Sequence, residues 1–250
     1  MIDVAAPAKL TRTLRVTGVR PDGLHLIDAE MVTLDVGDTL TITPGSVGLT
    51  VSGRFAEGVP TDGTNLVARA LVAVGRSAGV HVHKRIPSGG GLGGGSADAA
   101  AVLRWAGITD VDVAAGLGAD VPFCVVGGRA RVRGIGELVE PLPHLALTYT
   151  LVVPPVALST PAVYRAWDDL GGPTASGPND LEPAALVVEP ELVRWRDRIA
   201  ELAGDAPTLA GSGGTWFLEG ERDGALAALR SEGAAVIVAR TIAPKEAGAG

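Results

Sequence analysis

Between Ile86 and Ala101 the chain reads I-P-S-G-G-G-L-G-G-G-S-A-D-A-A-A, six glycines around a single leucine followed by a serine and an alanine-rich run. Glycine reaches backbone angles closed to other residues and lets main-chain N–H groups approach a ligand closely. Ser96-Ala-Asp-Ala-Ala-Ala-Val-Leu103 has high helix propensity, so the glycines lead into a helix N-terminus. Free N–H donors and the positive end of the helix dipole gather at such a terminus, and both suit a phosphate. The stretch is a predicted phosphate cradle.

Other glycine-loop chemistries fit less well. A P-loop needs Gly-Lys-Ser/Thr at its end, whereas Gly95 runs straight into Ser96. Gly89, Gly91 and Gly94 match G-x-G-x-x-G, but no apolar strand leads into Asp110 or Asp112, where a dinucleotide fold would want its ribose-binding acid. A flexible linker would not lie between the alternating Val80-His-Val-His83 and a strong helix former.

Composition sets outer bounds. A chain of 250 residues holds one large or two modest domains, and with 46% apolar residues it is globular. Aromatic residues are only 4%, so the core must be Ala, Val and Leu. A formal charge of -7 argues against nucleic acid as a partner. Met1-Ile-Asp-Val-Ala5 lacks the pattern of a secretory signal, and no stretch is long enough to cross a bilayer. Cys124 is the only cysteine, so no internal disulfide forms; it sits in Val121-Pro-Phe-Cys-Val-Val126 and reads as a buried packing thiol. Together these features predict a cytoplasmic protein with no membrane partner.

Along the chain the pattern is mixed strand and helix. Strands are predicted at 13–18, 31–36, 38–43, 48–51 and 80–85, a strand pair within 127–136, and further strands at 146–153, within 207–218 around a glycine turn, and at 234–240. Helices are predicted at 64–75, 96–105, 111–117, 160–170, 180–187, 189–203 and 223–232. This is an α+β pattern without internal repeats.

The residues also carry a family resemblance. Pro87-Ser-Gly-Gly-Gly-Leu-Gly-Gly-Gly-Ser-Ala-Asp98 resembles the second motif of the GHMP small-molecule kinases, the superfamily of galactokinase, homoserine kinase, mevalonate kinase and phosphomevalonate kinase. Further motifs lie in collinear order. They are Ala6-Pro-Ala-Lys-Leu10, Val16 to His25, Leu34 to Asp38, Gly118-Ala-Asp-Val-Pro-Phe123, Gly134-Ile-Gly-Glu137, Ser159-Thr-Pro-Ala-Val-Tyr164, Asn179-Asp-Leu-Glu-Pro183 and Gly211-Ser-Gly-Gly-Thr215. This ordered set spans essentially the whole chain and resembles the 4-diphosphocytidyl-2-C-methyl-D-erythritol kinases.

That resemblance implies a two-domain fold, with a ribosomal-S5-like N-terminal domain over residues 1–145 and a ferredoxin-like sandwich over 146–243. The active site would lie in the cleft between them, and 244–250 would be a flexible tail. It implies ATP with Mg²⁺ as cosubstrate, phosphorylation of the acceptor's hydroxyl to the 2-phosphate in non-mevalonate isoprenoid precursor synthesis, and a monomer or homodimer. ATP would meet Asn65 and the loop residues Pro87, Ser88, Gly89, Gly90, Gly91, Leu92, Gly93, Gly94, Gly95, Ser96 and Ala97. Asp120 would be the general base or hydroxyl-orienting group with Lys9 beside it. Thr11, His25, Thr160 and Tyr164 would bind the acceptor, His25 through its cytosine. Gly211, Ser212 and Gly213 would form a loop closing the site near the phosphates. No protein-only metal site is implied.

Taken alone, several of these residues have plainer readings. Asp120 in Gly-Ala-Asp suits a turn or helix cap, Lys9 a solvated surface, His25 a turn after Asp22-Gly23, Tyr164 a core helix face, Asn65 a helix cap, and Gly211 to Thr215 an ordinary hairpin. His81, His83 and His144 form no metal-ligand pattern with the single cysteine. The chain also departs from the family. It has Thr11 where asparagine is usual, Leu24 where a tyrosine precedes the histidine, and Arg12 and Arg131 where small or apolar residues are commoner; it is also short. These departures fall on the acceptor half. A kinase for another small alcohol, or a nucleotide-binding relative with impaired catalysis, remains the alternative.

Overall fold

The computed structural model describes residues 1–87 and 89–244. Ser88 of the expected ATP loop and the expected tail from 245 onward lie outside the described residues. Strands β1 (Ile2–Val19) and β2 (His25–Pro44) form one long antiparallel hairpin. With β3 (Leu49–Ser52), β4 (Ala78–His83), β5 (Arg129–Gly134) and β6 (Leu138–Leu142) they make a six-stranded sheet in the order β3-β4-β2-β5-β6, β1 pairing with β2. β3 and β4 pair in parallel, and helix α1 (Leu66–Ala73) lies in the connection between them.

Strands β7 (Thr148–Val153), β8 (Thr208–Leu209), β9 (Trp216–Glu219) and β10 (Ala235–Arg240) form a second, antiparallel sheet in the order β10-β7-β9-β8. Numbered within that sheet, the order is fourth, first, third, second, which is the expected ferredoxin-like arrangement. The remaining helices are α2 (Gly94–Trp105), α3 (Val111–Ala115), α4 (Val121–Val126), α5 (Thr160–Asp169), α6 (Glu182–Val188) and α7 (Glu191–Ala203). Among the described residues, no helix is long and apolar enough to cross a membrane.

Several elements differ from the sequence-based expectation, each for a physical reason. The strand expected at 13–18 begins at Ile2, because pairing along the whole of β2 overrides the weak strand propensity of Ala5-Ala-Pro-Ala8. The strands expected at 31–36 and 38–43 are one: β2 runs through Gly37, opposite Pro7, pairing with β5 before it and with β4 after it, while its register on β1 slips beside it. A Cβ there would lie 2.5 Å from the Ala6 carbonyl oxygen. The second strand expected within 127–136 is β6, placed after the turn at Gly134 to Glu137; its Pro141 is tolerated on an edge strand. The helix expected at 223–232 shrinks to a 3₁₀ turn at Ala227–Arg230. Leu226 and Leu229 are buried there three residues apart, the repeat of a 3₁₀ helix, and Gly233 at φ 98° ends it. Helix α4 was not expected: its β-branched apolar run is held helical by burial, with Pro122 in its first turn.

The core is built from small and aliphatic side chains. Ala97, Ala99, Ala100 and Ala101 of α2 are buried, and their lack of bulk lets the helix settle close onto β1 and β2. A second cluster joins the two sheets: Ala8, Leu10, Val32 and Leu34 meet Tyr149, Leu151, Phe217 and Ala235. Each fully buried leucine there contributes about 1.5–3 kcal/mol.

One buried charge cluster fixes the glycine loop to this core. Lys84 leaves β4, Asp38 lies on β2 and Asp98 on α2, and none is more than 4% exposed. The Lys84 ammonium donates to Asp38 and, at 2.8 Å, to Asp98. The other Asp38 oxygen accepts from the backbone N–H groups of Arg85 at 2.5 Å and Ile86 at 2.9 Å. The strand entering the loop and the helix leaving it are thus tied to one ammonium. Burial works against the Lys84 charge, yet Asp98 and Asp38 outweigh it and hold the ammonium above its ordinary pKa. Burial, aided by repulsion from Asp38, pushes the Asp98 carboxyl upward against the pull of Lys84.

Two predictions follow from this packing. Lys84→Met leaves two buried carboxylates without their cation and should cost about 3–5 kcal/mol, a fall in Tm of about 6–20 °C. Thermal unfolding at neutral pH checks it, and a Tm unchanged from wild type would contradict the clamp. Burial first, then the nearby Asp120 charge, pushes the Cys124 thiol from 9.0 up to about 12. The native protein at pH 8 should therefore leave a disulfide reagent such as DTNB unreacted, while the unfolded chain reacts at once. Because the folded pKa lies above the unfolded one, this group's contribution to stability is intact below pH 9 and declines as pH rises from 9 toward 12.

Candidate active site

The register of β1 on β2 slips between Pro7 and Lys9 and again between Thr11 and Thr13. Such bulges re-aim side chains, and the intervening Lys9 and Thr11, two residues apart, face the same way. Both are buried. Lys9 Nζ donates to Thr11 Oγ1 at 3.0 Å and lies 3.2 Å from Asp120 Oδ2. Asp120 occupies the residue before α4, but its side chain makes no capping bond, so its carboxylate is left to the cavity. The β5–β6 turn supports this segment from behind: a Cβ on Gly136 would run into the Ala119 carbonyl.

The glycine loop approaches the same lysine. Lys9 N donates to Leu92 O at 3.0 Å, and a Cβ on Gly93 would lie 2.7 Å from Lys9 Cγ. Gly93 takes the left-handed conformation (φ 69°) and starts α2 two residues earlier than expected. The first helical bond runs from Ala97 N to Gly93 O at 2.8 Å. The N–H groups of Gly94, Gly95 and Ser96 therefore have no carbonyl one turn back, which is the usual anion-binding end of a helix.

The second glycine turn, Gly211 to Thr215, packs on the first. A Cβ on Gly91 (φ 76°) would lie 2.6 Å from Ala210 O and 2.8 Å from Gly213 O. Thr215 Oγ1 donates to Gly90 O at 2.5 Å. Buried Asn179 holds the turn, donating to Leu209 O at 2.9 Å and Gly211 O at 2.7 Å. Neighbouring Asp180 binds Arg15 at 2.7 Å and the Val16 and Ala175 N–H groups, fastening this region to β1.

These elements bound a cavity of about 540 Å³ lined by Lys9, Thr11, Ser96, Asp120, Gly211 and Ser212 at one end and by Leu24, His25, Tyr164, Arg165 and Asp168 at the other. Thr160 lines it too, with Oγ1 2.8 Å from Ser212 Oγ. The His25 ring lies over Tyr164 (centroids 4.6 Å apart, planes at 33°) and meets the edge of Trp167 at 5.6 Å. Burial pushes the Tyr164 hydroxyl well above its ordinary pKa, so it stays protonated. The cavity thus joins a phosphate-friendly helix end, a lysine–carboxylate pair and an aromatic slot.

Of the residues singled out from sequence, Lys9, Thr11, His25, Ser96, Asp120, Thr160, Tyr164, Gly211 and Ser212 line this one cavity. Asn65 does not line it. Its Oδ1 accepts from Val67 N at 2.8 Å and caps α1, and its Nδ2 donates to Pro60 O at 2.6 Å. Sequence reasoning gave no role to Lys84, Asn179, Arg165 or Asp168. The quoted motifs contained Asn179 but could not say what it would hold, and Asp168 carries no local pattern at all. The unusual Arg12 and Arg131 do not line the cavity. Arg12 pairs with Glu30 and reaches Glu219 on β9 at 2.8 Å, and Arg131 pairs with Asp28 at 2.5 Å.

Comparison with known proteins agrees with this geometry. Residues 65–128 match the model of the GHMP kinases N terminal domain. The 4-diphosphocytidyl-2-C-methyl-D-erythritol kinase of Paracoccus denitrificans is 40% identical over 232 residues, covering 85% of each chain. The kinase of the same name from Dinoroseobacter shibae is 42% identical over 241 residues, 85% of this chain and 83% of that one. A crystal structure of 4-(cytidine 5'-diphospho)-2C-methyl-D-erythritol kinase superimposes with a TM-score of 0.77 at 32% identity, covering 100% of both chains. Ser96, the lysine–carboxylate pair and the aromatic residues line one cavity, while Pro87 and Gly90 of the loop line another, and by these relatives the chain belongs to the 4-diphosphocytidyl-2-C-methyl-D-erythritol kinase family of the GHMP kinases.

Proposed function

We propose that this protein transfers the γ-phosphoryl group of ATP to a hydroxyl of 4-diphosphocytidyl-2-C-methyl-D-erythritol, giving the 2-phosphate and ADP, a step of non-mevalonate isoprenoid precursor synthesis. The observation that carries this is the 3.2 Å contact of Lys9 with Asp120, placed between the free N–H end of α2 and the His25–Tyr164 slot. In-line transfer needs the donor phosphate and the acceptor hydroxyl held on opposite sides of the reacting phosphorus. The glycine turns hold the triphosphate. The slot holds the base of the acceptor, so its polyol end reaches Asp120.

Asp120 then orients the hydroxyl and takes its proton as the oxygen–phosphorus bond forms and the γ-phosphorus parts from the ADP oxygen. Lys9 lies against that carboxylate and against Gly93, where its charge balances the negative charge spreading over the transferring group. Thr11 Oγ1 accepts a hydrogen bond from Lys9 and fixes the direction of the ammonium. Arg165 has no ion-pair partner among the described residues and lines the acceptor end, where it suits the diphosphate of the acceptor.

The reaction class calls for Mg²⁺, which when bound would supply positive charge to offset that of the phosphates. The Ser96 hydroxyl and the Asp120 carboxylate are the oxygen donors on hand for it. No group of three or more His, Cys, Asp or Glu suited to a metal occurs among the described residues. We take 1–145 and 146–243 as the two domains that meet at this cleft.

Purified protein with ATP, Mg²⁺ and the cytidine acceptor should release ADP; normal ATP binding without ADP release would refute the proposal. Asp120→Asn should lower kcat by about 10²–10⁴-fold while leaving ATP affinity within a factor of about two. Arg165→Ala should raise the acceptor KM by about tenfold with kcat little changed, as expected for loss of a charged hydrogen bond. Steady-state kinetics against both substrates distinguishes the two effects.

A further inference from the structure

His25 is held on three sides. Tyr164 covers its face at 4.6 Å, the Trp167 edge stands against it at 5.6 Å, and Nε2 lies 2.8 Å from Asp168 Oδ1. The aromatic contacts fix the plane of the ring, and the carboxylate fixes its rotation within that plane. An ionised carboxylate only accepts hydrogen bonds, so Nε2 must carry the proton. In the neutral ring Nδ1 is then the unprotonated acceptor. Nδ1 has no hydrogen-bond partner among the described residues, nor is it one of the buried polar atoms closed off without a partner, so it remains open to a ligand.

The three groups on α5 that reach this region are separated by helical spacing: Tyr164, then Asp168 one turn later, with Trp167 between and packed inward. Leu24, on the other side of the slot, is 45% exposed and offers no ring for stacking. Recognition of the base at this end therefore falls more heavily on hydrogen bonding. Cytosine presents an exocyclic amine, a donor, where uracil presents a carbonyl, an acceptor. A ring nitrogen fixed as an acceptor rewards the first and leaves the second facing an unpaired lone pair.

Building on the kinase reading, we infer that Asp168 is a positioning residue for base selection: it locks His25 in the Nε2–H form so that Nδ1 accepts from the cytosine amine and disfavours a uracil acceptor. Asp168 lies far from the reacting hydroxyl in this scheme, so it acts on acceptor binding and not on phosphoryl transfer.

The first test is the ring itself. The ¹⁵N shifts of His25 in the free wild-type protein, assigned by their loss in His25→Gln, should report the Nε2–H tautomer; an Nδ1–H ring would overturn the inference. The second is kinetic, with cytidine- and uridine-diphosphate-linked methylerythritol as paired acceptors. Asp168→Ala should raise KM for the cytidine acceptor by about tenfold, cut the preference for it over the uridine acceptor by about tenfold, and leave kcat within about twofold. Unchanged KM and unchanged preference in a folded variant would sink the inference while the kinase assignment stands. A wild-type enzyme that phosphorylates neither acceptor would instead sink the kinase assignment, and this inference with it.

Discussion

A single buried ammonium holds the working parts of this molecule in register. Lys84 stands just before the glycine loop, and its two carboxylate partners come from a strand 46 residues back and a helix 14 residues ahead. A cation with so little solvent is tolerated only because both partners are close, and the partners are tolerated only because of the cation. The loop between them therefore has fixed ends. Six glycines on free ends would sample many conformations and lose that entropy on meeting a phosphate. On fixed ends their freedom becomes an advantage, since backbone N–H groups reach positions that no side-chain-bearing residue allows.

The second source of order is the contact between glycine turns. Gly91 and Gly93 on one, and Gly213 and Gly214 on the other, all have positive φ, and at Gly91 and Gly214 backbone atoms of the facing turn stand where a Cβ would otherwise be. The second turn belongs to the smaller sheet and the first to the larger. Asn179 and Asp180 bind the same junction by side-chain hydrogen bonds to backbone. The cleft is thus made by main chain meeting main chain, which explains why so much of the site is glycine and why its geometry resists substitution. Lys9 threads this junction, touching Leu92 through its backbone and Gly93 through its stem.

How legible was this in the sequence? The loop and α2 were, because glycine spacing and an alanine run are local signals. The strand order of the second sheet followed from the resemblance and not from the residues. Lys9 and Asp120 are 111 positions apart in the chain, and nothing in either neighbourhood says that they meet; only the collinear motifs pair them. The Lys84 cluster was not legible, since a lysine ending a strand ordinarily faces water. Helix α4 and the first half of β1 were missed for the opposite reason: tertiary pairing and burial overrode weak or contrary local propensity. Asn65 shows the reverse trap, a residue whose expected ligand role coexists with an ordinary capping geometry.

Of the departures from family pattern, Thr11 and Leu24 line the cavity and Arg12 and Arg131 do not. Arg12 and Arg131 are absorbed by acidic partners and do not touch the cavity. Thr11 is shorter than asparagine, but the bulged strand turns it onto Lys9, so its hydrogen bond orients the cation and need not reach the substrate. Leu24 removes an aromatic wall, while Tyr164 and Trp167 close around His25 from the opposite side. Loss of stacking on one face is offset by a ring held more firmly on the other. A slot built this way gives up contact area for direction, because a pinned imidazole presents one nitrogen in one orientation. On the proposed reading, the acceptor end relies on a directed imidazole more than on stacking, while the phosphate end is confined by glycine on glycine.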